Sequence, residues 1–212
     1  PTPDRPTRGA AVPESAEEMY ARVVGLLGEG GRPPLPPTAS WRTFPFEGEM
    51  LVRPLEQPVA AEPERHGADP AECWCTADPD RGAIWRDTTW RVAAPPAPTG
   101  LPLQLFLTPR EHLDVTEMDA GLASSFGVMT SRLVRVMSAL PHVGRVHFSQ
   151  WGDGSTHLHV WFFARTARVR QTMGTFAAVW DDLLPPVPDD VWRADLRTVA
   201  AGLAAHGGTA LV

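Results

Sequence analysis

The 212-residue chain is 43% hydrophobic and 21% charged, which excludes a disordered composition. Its net charge of −6 disfavours a general nucleic-acid binder, which needs a basic excess to neutralise phosphates, but leaves room for a local arginine pocket holding one nucleotide. No apolar run approaches the roughly 18 residues of a membrane-spanning helix, and PTPDRPTRGAAVPES has no apolar segment behind its arginines, so a soluble, cytoplasmic protein with no membrane partner is expected.

Residues 1–15 read as an extended or poorly ordered tail. ESAEEMYARVVGLLGEGG predicts a helix with Ser15 as its N-cap, an apolar stripe of Met19, Val23, Leu26 and Leu27, and a stop at Gly28 to Gly31. A proline linker, RPPLPPTAS, leads to EGEMLVRPLEQ, which reads as a strand. AIWRDTTWRVAA alternates around a turn and predicts a hairpin, and LPLQLFLTP predicts a strand ending at Pro109. Residues 115–140 carry the longest helical pattern, with Thr116 as its cap and a buried face of Leu122, Phe126, Met129, Leu133, Val136, Met137 and Leu140. GRVHFSQWG and THLHVWFFA read as two strands joined by a tight GDGS turn. GTFAAVWDDLL and PDDVWRADLRTVAAGLAAHGG are helical, and the second ends at a glycine pair. The order of elements predicts an α+β fold with an antiparallel sheet. It divides into a 1–69 extension, a 70–168 domain and a 169–212 helical extension packed on that domain.

The chemistry concentrates in GDGSTHLHVWFFAR, residues 152–165. On a strand, His157, His159, Trp161 and Phe163 share one face, and Leu158, Val160 and Phe162 share the other. Two histidines on one half-exposed face can be inert, or they can form a site. The two cysteines, Cys73 and Cys75, are too close in sequence to pair without strain, so metal binding is their better functional reading. They can also be ordinary thiols. Trp85, Trp90 and Trp151 can stack on a base or fill the core.

HLHVWFFAR resembles the His-φ-His-φ-His motif of the histidine-triad superfamily, with Arg165 in its arginine place and Trp161 where a third histidine or a glutamine is usual. CWC, AIWRDTTWRVAAP, LFLTPREHLDVTEMD and FSQWGDGSTHLH resemble, in order, the cysteine pair, first hairpin, histidine segment and glycine turn of its zinc-bearing branch. The resemblance covers residues 70–168 and implies an antiparallel sheet with one long helix. It implies His159 as the nucleophile that forms a covalent nucleotidyl-histidine in a nucleotide hydrolase or nucleotidyl transferase. Gln150, Gly154, Ser155, Thr156 and Arg165 are implied as phosphate-binding positions. It further implies a structural zinc on Cys73, Cys75, His112 and His157, with His66 a spare ligand, and a homodimer. C-x-C here stands where C-x-x-C is usual.

The tryptophan at position 161 offers only an indole N–H, which cannot act as a general acid. It therefore disfavours leaving groups that need a proton, such as amines. It also leaves open a zinc-stabilised binding protein without catalysis, or an enzyme of specialised metabolism with altered chemistry.

Overall fold

The computed structural model describes residues 13–27 and 30–212. Most of the expected tail, and Gly28 of the expected helix stop, lie outside these residues. Chain contacts divide the protein into two compact units, Pro1–Ser40 with Phe46–Pro63, and Trp41–Pro45 with Glu64–Val212.

The first unit contains helix α1, Ala16–Leu26. Ser15 caps it, and Glu18 returns the bond to the Ser15 N–H, so two otherwise orphaned N–H groups are satisfied reciprocally. None of its residues is buried, so the apolar stripe read from the sequence does not build a core among the described residues. The strand expected at residues 47–57 does not form. Pro54 removes a ladder donor from this segment, and among the described residues of the unit no strand lies ready to pair with it.

The second unit is α+β. Six strands form one sheet in the order β4-β5-β3-β2-β1-β6, with every neighbouring pair antiparallel. They are β1 (Ala83–Arg86), β2 (Trp90–Ala93), β3 (Leu103–Pro109), β4 (Val143–Gln150), β5 (Val160–Thr166) and β6 (Thr209–Ala210). The helices are the single turn α2 (Trp74–Ala77), the long α3 (Ala120–Ser138), α4 (Ala177–Leu183) and α5 (Asp189–Ala204).

Strand alternation decides where the core and the site lie. Trp90, Val92, Leu103, Leu105, Leu107, Leu158, Val160 and Phe162 pack with Met129, Leu133 and Met137 of α3 and Leu196, Val199 and Leu203 of α5. The opposite face carries Arg91, Phe106, Thr108, His159, Trp161 and Phe163, with a small second cluster of Leu101, Phe163 and Ala177. Trp85 and Trp90 are core residues, and the Trp90 indole donates to Ser125 on α3 at 2.6 Å. Trp151 is half-exposed.

Three local expectations change. Asp119, not Thr116, caps α3, because a separate 3-10 turn at Val115–Glu117 precedes it. The link between β4 and β5 is not a tight hairpin turn. It runs over residues 151–159, because Ser155 leaves the ladder to bridge His66. The short β6 was not foreseen. Gly208 turns the chain there with φ +77°, and any Cβ would lie 2.5 Å from the Arg86 carbonyl and the Trp85 ring. Glycine alone allows that approach.

Candidate metal centre and cleft

Cys73, Cys75, His112 and His157 come from three separated segments. Asp69 caps the turn before Cys73, and α2 carries Cys75. His112 follows the end of β3, and His157 stands ahead of β5. One donor atom from each lies within 4.8 Å of all the others. Cys73 Sγ is 3.5 Å from His157 Nδ1, and Cys75 Sγ is 3.6 Å from His112 Nδ1. Metal–sulfur bonds of about 2.3 Å and metal–nitrogen bonds of about 2.0–2.1 Å at the tetrahedral angle place S and N about 3.6 Å apart. The donor set therefore fits a closed four-ligand metal site in both chemistry and spacing.

The far side of each imidazole supports the same geometry. A carbonyl only accepts, so His157 Nε2–H donates to the Pro109 carbonyl at 3.0 Å, which leaves Nδ1 as a lone pair facing the sulfurs. The Thr156 hydroxyl lies 3.3 Å from the His66 carbonyl and 3.4 Å from His112 Nε2. Donating to the first, it accepts from the second, and His112 Nδ1 is left free in turn. Burial drives the His157 imidazole down to about 4, so it is neutral at pH 7. Burial and the neighbouring Cys73 push the Cys75 thiol up. Gly67 closes the site with φ +78°, where a Cβ would press on Thr156 Oγ1 at 3.2 Å and His112 Cε1 at 3.4 Å.

His159 stands two residues on, half-buried. Its Nδ1–H donates to the His157 carbonyl at 3.0 Å, which selects the neutral-ring tautomer with the lone pair on Nε2. It lines a cleft of about 430 Å³ together with Ser155, His66, Arg91, Thr108 and Phe106. Ala93, Ala94, Pro95 and Pro96 form its apolar wall. No carboxylate lines this cleft among the described residues.

The other positions named from the sequence are distributed unevenly. Ser155 lines the cleft, and its hydroxyl accepts from the His157 N–H at 3.3 Å. Gly154 accepts from the His66 N–H at 3.1 Å. Thr156 faces His112, where it orients a ring, and is not part of the cleft wall. His66 lines the cleft and stands outside the four-ligand cluster. Gln150 is exposed at the end of β4. Arg165 sits near the far end of β5, donating to the carbonyls of Thr166 and Val169, and does not reach the cleft. Trp161 packs among Phe106 at 4.6 Å, Phe163 at 5.8 Å and Trp151 at 5.9 Å. Its buried indole N–H has no hydrogen-bond partner.

Sequence reading missed Arg91. Its guanidinium lies 3.9 Å over the Trp74 ring, and Trp74 in turn lies 4.6 Å from the His157 ring. The signal was present in WRVA, where an arginine alternates with core residues on a strand that is otherwise fully buried.

No helix among the described residues is long and apolar enough to cross a membrane. No protein-family model matches the chain, and no curated protein matches it. Among solved structures, the chain is similar to a Zn-bound histidine triad family protein from Mycobacterium smegmatis. Identity is 17%, coverage 63% of this chain and 95% of that one, and the TM-score 0.45. A histidine triad protein from Bradyrhizobium japonicum matches at 13% identity, over 57% of this chain and 88% of that one, with a TM-score of 0.47. A hypothetical histidine triad nucleotide-binding protein from Sulfolobus tokodaii matches at 12% identity, over 63% of this chain and 93% of that one, with a TM-score of 0.46. All three are histidine-triad structures, and the first of them is zinc-bound.

Proposed function

We propose that the chain is a histidine-triad-like protein that binds a nucleotide and acts at its α-phosphorus through His159. The observation that carries this reading is the His159 ring. Its Nδ1–H is committed to the His157 carbonyl, so Nε2 is a lone pair at the wall of a cleft of nucleotide size. Nε2 attacks phosphorus, the bond to the leaving group breaks, and a nucleotidyl-histidine forms. Water, or a second acceptor, then takes the nucleotidyl group from Nε2. Ser155, at the cleft, is placed to donate to a phosphate oxygen; Gly154, on the exposed turn beside it, belongs to the same reading. Gln150 and Arg165, which stand outside the cleft wall, belong to the same reading as contacts formed when substrate binds.

Zinc is the metal this donor set suits best, and its role is structural. Held by Cys73, Cys75, His112 and His157, it ties α2 and the end of β3 to the residue two before His159. That fixes the carbonyl on which the His159 tautomer depends. The 70–168 segment as the reacting domain, a homodimer and a cytoplasmic site belong to the same reading. Light scattering on the purified chain tests the dimer.

The experiment is incubation with dinucleoside polyphosphates and nucleotide sugars, wild type beside His159→Ala. A covalent nucleotidyl adduct should appear by mass spectrometry in the wild type and vanish in the variant, with metal content unchanged. Turnover that survives the substitution would sink the mechanism. A second reading, a metal-stabilised binding protein without catalysis, is favoured by Trp161, which puts an indole where the motif would offer a third polar group. It predicts ligand binding with no adduct.

A further inference from the structure

We propose that Arg91 is a further catalytic residue of this cleft, meeting the charge that develops on the leaving phosphate when His159 attacks a nucleotide joined at its α-phosphorus to a second phosphate. This rests on the reading of His159 given above. Arg91 is 4% exposed, yet it forms no ion pair among the described residues. Its Nε donates to Thr108 Oγ1 at 2.8 Å and its Nη1 to the Arg81 carbonyl at 2.6 Å, both neutral acceptors. Nη2 has no hydrogen-bond partner among the described residues. The carboxylates acting on it at longer range are Asp80 and Asp78, together with the thiols of Cys73 and Cys75. Asp80 pairs its Oδ2 with Arg86 at 2.9 Å, and its buried Oδ1 has no hydrogen-bond partner, so it does not bond Arg91 either. A buried guanidinium without a paired anion is costly unless a ligand supplies one.

The sheet aligns this charge with the nucleophile. Arg91 on β2 pairs with Thr108 on β3, and Leu107 pairs with Val160, which sets Thr108 opposite His159. Arg91 and His159 are thus two strand spacings apart, about 10 Å between backbones. An arginine side chain and a phosphoanhydride span that gap. The step balances without a proton. His159 Nε2 forms a bond to the α-phosphorus, and the bridging P–O bond breaks. Its electron pair leaves with the departing phosphate, whose added negative charge Arg91 meets. The indole at position 161 supplies no acid, so a group that departs as a phosphate is favoured over one that must leave as an amine or alkoxide.

The test compares three nucleoside 5′-phosphoryl substrates, each made with all common bases: a dinucleoside polyphosphate, a 4-nitrophenyl ester and a phosphoramidate. The wild type should cleave the anhydride at least about 100-fold faster than the phosphoramidate. Arg91→Met should lose about 100-fold in kcat on the anhydride, the scale of removing one charge-stabilising donor. On the nitrophenyl ester, whose leaving group is good without help, it should lose less than about threefold. Metal content should stay at the wild-type level, and Arg91→Lys should recover part of the loss. Equal losses on anhydride and ester, or wild-type preference for the phosphoramidate, would overturn the proposal while leaving His159 in place. Turnover retained by His159→Ala, or no turnover of any substrate, would instead bring down the underlying mechanism and this inference with it. If Arg91→Met does not fold, the wild-type series and Arg91→Lys decide.

Discussion

Two positions four residues apart, His157 just ahead of β5 and Trp161 within it, are built in opposite ways. Around His157 every polar atom is spoken for: Nε2–H meets Pro109, Nδ1 faces Cys73, and Thr156 settles the ring of His112. Around Trp161 the rings pack closely, and the one polar atom, the indole N–H, is buried without a partner. The first arrangement is what a group held for structure looks like. The second is a packed aromatic position with one donor left over. His159 sits between them with its Nδ1–H held from the first side and nothing polar offered from the second.

The comparison breaks most severely at the cysteines. Cys73→Ala removes one of four donors that converge within 4.8 Å, and should abolish tight metal binding. Structural sites of this type contribute on the order of 10 kcal/mol of folding free energy, so the loss should amount to several kcal/mol. Denaturant unfolding and metal analysis on the purified variant check it. A variant that unfolds like the wild type would mean the four side chains are neighbours and nothing more.

Acid attacks the same region with a smaller effect. Burial holds the folded His157 ring near 4, against 6.5 for an ordinary histidine. Between those values the unfolded chain binds a proton that the folded chain does not, so stability falls as pH falls from 6.5 to 4. The loss is at most about 3 kcal/mol, and proton competition for the metal adds in the same direction. Urea midpoints across this window should fall in the wild type and stay flatter in His157→Phe, once its lower starting stability is allowed for.

A subtler cut is Thr156→Val, which keeps the shape and removes the hydroxyl between His66 and His112. Loss of such an orienting partner typically costs 10–100-fold in metal affinity. Competition against a coloured chelator measures it. Sequence reading had placed Thr156 on a phosphate instead, and the reason is instructive. GDGST looks like a phosphate turn when nothing shows that residue 66 returns to pair with it. The contact between His66 and residues 154–156 spans almost 90 positions, and no local pattern encodes it. By contrast, the alternation of HLHVWFF was legible, because a period of two fixes both faces of β5 at once. The metal ligands were named from an ordered set of motifs, and the structure brings those same four together. Arg91 stayed hidden because an arginine on a strand is read as a solvated edge until its neighbours are known to be buried. Arg165, read from the motif, serves the turn after its strand instead.

The smallest expected effect is at Trp161, and its sign is what matters. A buried N–H without a partner costs roughly 1–3 kcal/mol, and Trp161→Phe removes that cost. The same change deletes ring volume from a packed aromatic cluster, which costs a similar amount. The two should nearly cancel, leaving stability within about 1 kcal/mol of wild type by thermal or urea unfolding. Binding then separates the two roles the indole can have. If its N–H is idle, Trp161→Phe binds nucleotide as well as the parent does. If the N–H is kept for a ligand oxygen, the variant should lose about 10-fold in affinity, the worth of one hydrogen bond to a charged acceptor. A loss of that size at unchanged stability would show that the orphaned donor is waiting for substrate, and Trp161 would join the site it borders.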